Sequence, residues 1–223
     1  MEIGIIADIG QAFEQGGIWM WAILVAQIVS FAIIAERVFH LYILRAPKER
    51  NLVRQFENPI KMGQMDKTIK MSASTQKLHP IFSVVKAGAQ AASSFGGREE
   101  IQAKMDEVLI FENEKLNRRT GFLSVIGNVG TLLGLLGTIV GLIKAFSAVA
   151  NVSPVEKAAL LSQGISMAMT TTAYGLIVAI PALVAFAVLQ NRANLLTEDL
   201  NQAALKAFNW LSFNFEPVAR KKG

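Results

Sequence analysis

Residues 130–146 read GTLLGLLGTIVGLIKAF, a segment apolar enough to cross a membrane. It nevertheless carries a glycine every three or four positions and two threonines, Thr131 and Thr138, one heptad apart. Glycine weakens a helix by about 1 kcal/mol relative to alanine in water, so Gly127, Gly130, Gly134, Gly137 and Gly141 imply a compensating use. At about 100° per residue the five share an arc of about 80°, with Thr131 and Thr138 together on its flank. Such a face lets another backbone approach closely. Residues 164–186 repeat the device, with Gly164, Ala168, Thr171, Thr172, Gly175, Ala179 and Ala182 within about 100°. Two helices with matching small faces pack against each other or against identical neighbours, because small residues permit close van der Waals approach in lipid.

The rest of the chain supplies the setting. Of 223 residues, 52% are hydrophobic and only 17% charged, the balance of a membrane protein. The residues 18–35, 122–149 and 165–189 read as three spans. The first and third are free of charge and the second holds only Lys144, which can snorkel. Trp19 and Trp21 open the first span as interfacial aromatics.

Lys and Arg number none in residues 1–17, 15 in 36–121, one in 150–164 and five in 190–223. This places residues 1–17 and the 150–164 loop in the periplasm, and 36–121 and 190–223 in the cytoplasm. The acidic N-terminus, with no small-residue cleavage site, predicts a retained anchor and not a removable signal. The expected fold is therefore all-α, an integral membrane protein with three transmembrane helices. The 36–121 segment reads as helices interrupted at Pro47, Asn58-Pro59, His79-Pro80 and Gly96-Gly97. Its last helix, from Arg98, carries Ile101, Met105, Val108 and Leu109 on one stripe and runs without a breaker into the second span. A matching stripe, from Leu196 through Leu200, Ala204, Phe208 and Leu211 to Phe215, extends the third span. Long second and third helices are thus expected to form a cytoplasmic bundle, ending in a basic tail.

Several functions are excluded or disfavoured. No cysteine is present, which rules out disulfides and thiolate chemistry. His40 and His79 stand without acidic neighbours at ligand spacing, so no metal or other cofactor is expected. The basic residues lack the aromatic interleaving of a nucleic-acid surface. No acid–base group lies in the spans and no nucleotide motif lies outside them, so an enzyme is not expected. Three spans without an internal repeat are few for a solute permease.

Thr170, Thr171 and Thr172, Ser166 one turn earlier, and the Thr131/Thr138 pair place more hydroxyl in the membrane than packing needs. A polar lining of Thr131, Thr138, Ser166, Thr171 and Thr172 is the expectation. Hydroxyls carry water or coordinate a small cation but do not exchange a proton near neutral pH. A titratable carboxylate for proton transport must therefore come from another chain.

GLLGTIVGLIKAF at 134–146, followed by GISMAMTTTAYGLIVAIPALVAF at 164–186, resembles the ExbB/TolQ/MotA family of ion-driven motor subunits, closest to its ExbB and TolQ branch. The resemblance implies a homopentamer in the bacterial inner membrane. It surrounds a dimer of a single-span, ExbD/TolR-like partner whose membrane aspartate is the missing carboxylate, and H⁺ or Na⁺ is the transported ion. It places the conserved threonines of the two spans at Thr138 and Thr172, and the proline of the family's AIPA pattern at Pro181. One departure is Met167, where ExbB and TolQ members commonly carry glutamate. That leaves the hydroxyls, as in sodium-driven members of the flagellar branch, which use adjacent threonines. The implied function is a stator-type motor subunit converting cation flow into mechanical work on envelope or transport machinery. The alternative is a non-conducting oligomeric scaffold, with Gly127, Gly130, Gly134, Gly137, Gly141 and Gly175 as its packing seams.

Overall fold

A computed structural model describes residues 2–45, 49–75, 79–94, 97–149 and 153–213, with side chains from residue 17 onward except at 74, 75 and 155. Pro47, Gly96, Phe215, the basic tail and part of the 150–164 loop lie outside the described residues. Every element among those described is helical, and the chain divides into two compact units, residues 1–37 with 119–188 and residues 38–118 with 189–223. Three helical stretches are long and apolar enough to cross a membrane, within 17–61, 98–148 and 156–213.

The first unit draws on α1 (Glu2–Val38), α7 (Thr120–Ala148) and the N-terminal part of α8 (Pro154–Phe213). Helix α1 is broken at Gly17, whose φ of 61° and ψ of −150° lie where only glycine is unstrained, directly before the first apolar run. The packing of α7 inverts the rule of water-soluble proteins. Its buried positions are mostly glycines, at 127, 130, 134, 137 and 141, with Thr120, Leu123 and Ala145, while Leu132, Ile139 and Phe146 are exposed. Large apolar side chains on the outside and backbone on the inside suit a lipid surround, where close approach replaces hydrophobic burial as the cohesive force.

Helices α6 (Arg98–Asn117) and α7 are not continuous, contrary to the sequence expectation. Arg118 adopts an extended ψ of 139° and Arg119 a left-handed φ of 64°, which ends one helix and starts the next. A left-handed arginine is disfavoured by about 1–2 kcal/mol. Its guanidinium is held by both carboxylate oxygens of Glu36, each at 2.7 Å. No glycine or proline marks this break in the sequence.

The second unit contains a π-helical segment (Phe39–Leu44), α2 (Glu49–Leu52), a 3₁₀ turn (Val53–Phe56), α3 (Glu57–Lys61), α4 (Met65–Thr75), α5 (Pro80–Ser93), α6 and the end of α8. Its core is conventional: Phe56, Ile60, Ile81, Ile101, Leu200 and Leu211 are fully buried, and Phe56 meets Phe82 edge to face. At Gly88 a Cβ would lie 2.6 Å from the Met105 sulfur and 2.7 Å from Leu211 Cδ1, so glycine lets these two side chains of α6 and α8 fill the space against α5.

Two further expectations are corrected in this unit. Asn58-Pro59 does not interrupt a helix. Pro59 sits in the first turn of α3, where its missing N–H costs nothing, and the break comes at Gly63, with φ 70°. His79 is not isolated: its Nδ1 lies 3.5 Å from Glu49 Oε1, and both residues are buried. Glu49 also accepts the Ile81 N–H at 3.3 Å, serving the first turn of α5, whose N-cap His79 makes no side-chain cap. Burial pushes the Glu49 carboxyl up to about 7, against the pull of the Ile81 N–H and of Arg45. Burial, and secondarily Arg45, hold His79 below its ordinary value. Arg50 of α2 binds two α8 residues, Asp199 at 2.5 Å and Gln202 at 2.8 Å.

Candidate functional site

The seam between α7 and α8 in the first unit is made by glycine. A Cβ built on Gly134 would lie 3.2 Å from the Cα atoms of both Gly175 and Thr172. One on Gly175 would lie 2.7 Å from the Gly130 carbonyl oxygen and 2.9 Å from Gly134 Cα. Gly137 receives the Thr171 methyl, and Gly141 faces Ala168. Gly127 faces Leu183, while Gly130 is the looser position, its nearest would-be contact being 3.5 Å away.

This close approach brings Thr138 and Thr172 together, so that their hydroxyls hydrogen-bond to each other. Thr138 Oγ1 also lies 3.2 Å from the carbonyl oxygen of Gly134 on its own helix and 3.2 Å from that of Ala168 across the seam. Thr172 Oγ1 reciprocates, 3.1 Å from the Gly134 carbonyl. Four oxygens, two hydroxyl and two carbonyl, therefore converge. Two protons are distributed over more acceptors than they can satisfy at once, so either hydroxyl can turn toward a new acceptor without breaking a helical bond. Hard oxygen ligands of this kind suit a small cation or a protonated water. They supply no carboxylate, and the apolar runs 18–35, 122–149 and 165–189 contain no Asp or Glu.

The other predicted residues do not join the cluster. Thr171 is buried and commits its hydroxyl to its own helix, at 2.7 Å from the Met167 and 3.2 Å from the Ala168 carbonyl. Thr131 is exposed and back-bonds to Gly127 at 3.1 Å. Ser166 is also exposed, and its carbonyl accepts the Thr170 hydroxyl at 2.8 Å. The Gly134 and Ala168 carbonyls were not singled out from the sequence. The available signal was the residue type, because a small residue lets a neighbouring helix come close enough for its hydroxyl to reach the carbonyl.

A sequence model of the MotA/TolQ/ExbB proton channel family matches residues 76–202. The chain is 28% identical over 178 residues to the biopolymer transport protein exbB1 of Vibrio cholerae, covering 77% of this chain and 75% of that one. It is 35% identical over 88 residues to the Tol-Pal system protein TolQ of Haemophilus influenzae, covering 40% of this chain and 38% of that one. Among solved structures, that of C. jejuni MotAB is similar at 18% identity and a TM-score of 0.49, covering 98% of this chain and 91% of that one.

Proposed function

The chain belongs to the MotA/TolQ/ExbB proton channel family, and from that premise we propose that it is the ring-forming subunit of an ion-driven motor of the bacterial inner membrane. In this reading residues 1–17 lie in the periplasm and 190–223 in the cytoplasm, and five copies surround a dimer of an ExbD/TolR-like single-span partner. H⁺ or Na⁺ passes beside Thr138 and Thr172 and neutralises and releases the partner's membrane aspartate in turn. The observation that carries the reading is the convergence of the two hydroxyls with the Gly134 and Ala168 carbonyls. An unpaired charge at a helix centre costs about 2.5–3.5 kcal/mol on insertion scales, and a charge crossing 100 mV releases about 2.3 kcal/mol. A hydroxyl-lined berth brings these two quantities into the range of a stepping cycle.

A packing scaffold is the second reading, favoured by one specific observation: each threonine hydroxyl already has a backbone carbonyl within bonding distance. Reconstitution separates the two. Proteoliposomes holding the chain together with its single-span partner should pass protons or sodium ions under an imposed potential, and liposomes holding the chain alone should stay tight. Equal and negligible flux in both preparations contradicts the motor reading and favours the scaffold.

A further inference from the structure

Away from the threonine cluster, α1 and α8 leave between them a small, partly open cavity of about 10 Å³ whose lining includes Gln27, Ser30, Phe31, Ile177, Val178 and Pro181. Gln27 and Ser30 bring polar side chains to it, and Pro181 frees a backbone acceptor in the same stretch of α8. Pro181 sits inside α8 and has no N–H, so the Ile177 carbonyl four residues earlier lacks its helical donor. Ser30 is 4% exposed. Among the described residues, none is hydrogen-bonded to the Ser30 hydroxyl or the Gln27 amide. The contrast lies in the same bundle, where Thr131, Thr170 and Thr171 all return their hydroxyls to a carbonyl one turn earlier. Ser30 does not, and it lines the same cavity as Ile177 and Pro181, where a backbone acceptor has been freed.

In lipid a lone backbone carbonyl is costly, and ordered water is one of the ways a proline-containing membrane helix restores the lost bond. A site for one water needs about 10–15 Å³ and two to four polar partners. The cavity meets both conditions. We propose that it binds a single structural water, which donates to the Ile177 carbonyl, accepts from the Ser30 hydroxyl and is held by the Gln27 amide. The water thereby fastens α1 to α8 at Pro181. This assignment is independent of any ion path through Thr138 and Thr172.

The test is a double-mutant cycle on the full chain in lipid nanodiscs, following thermal unfolding of the parent, Ser30→Ala, Pro181→Ala and the double variant. Pro181→Ala gives Ile177 a helical donor and removes the water's strongest anchor. Ser30→Ala is expected to lower the midpoint by about 2–4 °C in the parent and by less than half of that in the Pro181→Ala background. The parent shift should be the same in sodium and potassium buffers. Equal shifts in both backgrounds, no shift in the parent, or a shift that requires sodium each overturn the proposal. Should Pro181→Ala fail to fold, water-edited solid-state NMR of the parent decides alone. The Ser30 Cβ signal is expected to receive magnetisation from water, and a dry Ser30 overturns the assignment.

Discussion

Gly175→Ala perturbs the seam that builds the candidate site without touching a hydroxyl. The added Cβ meets only backbone, 2.7 Å from the Gly130 oxygen and 2.9 Å from Gly134 Cα, with no side chain able to rotate away. Ordinary contact begins at 3.4 Å, so 3.4 − 2.7 requires α7 and α8 to separate by about 0.7 Å. The cross-seam bonds at 3.2 Å from Thr138 to Ala168 and 3.1 Å from Thr172 to Gly134 then stretch to about 3.8–3.9 Å, beyond hydrogen-bonding range. Overpacking of this kind costs about 1–3 kcal/mol, against which alanine returns about 1 kcal/mol of helix propensity. A modest loss of thermal stability in detergent and a large loss of cation flux are therefore expected. Gly130→Ala is the control, because its Cβ finds its nearest neighbour at 3.5 Å, and it should leave both properties close to the parent's. If Gly175→Ala matched Gly130→Ala in stability and in flux, the reasoning from close approach would be refuted.

The buried Glu49 predicts a pH dependence of the second unit. Its folded value is raised from 4.5 to about 7, so the stability it contributes is full below pH 4.5 and is lost as pH rises through 7. His79, lowered from 6.5, contributes stability that is lost as pH falls below 6.5. His79 opposes Glu49 below pH 6.5, so the net decline is concentrated between pH 6.5 and 7, where half a pH unit at about 1.4 kcal/mol per unit gives about 0.7 kcal/mol, and stability is level above that. Thermal unfolding in detergent should show that decline in the parent and not in Glu49→Gln. A decline of equal size in Glu49→Gln rules out Glu49 as its source. At the α6–α7 break, Arg119→Ala keeps the left-handed backbone and loses the Glu36 pair, whereas Arg119→Gly loses the pair and relieves the backbone. The glycine variant should be the more stable by about 1 kcal/mol in the same assay, and the reverse order contradicts the strain.

Much of the first unit was legible because its signal is local. A glycine every three or four residues fixes a face by helical geometry alone, and that face is the one against which α8 packs. The apolar runs are similarly direct, since the length of hydrocarbon to be crossed sets the number of residues. What escaped the sequence depends on partners distant along the chain. The break at Arg118 and Arg119 is held by Glu36, 83 residues away, and no local breaker announces it. Glu49 and His79 are 30 positions apart, so spacing rules for ligands do not apply to them. Within the site, the sequence showed which residues carry hydroxyls but not which bonds they make. Thr171 and Thr172 are adjacent, yet 100° of helix turns one into its own backbone and the other across the seam.

The central claim is that the Thr138 and Thr172 hydroxyls serve ion passage and not packing alone, and the direct measurement is cation flux in proteoliposomes containing the single-span partner. Thr138→Val and Thr172→Val keep shape and β-branching, and each removes interhelical bonding worth about 0.6 kcal/mol and at most about 1.7, so both variants should assemble at parent levels. Flux should fall steeply in each, and the double variant should be little worse than either single one, because the two hydroxyls act as one cluster. Near-parent flux in both single variants, measured with and without sodium, would contradict the account and leave these threonines as part of the seam.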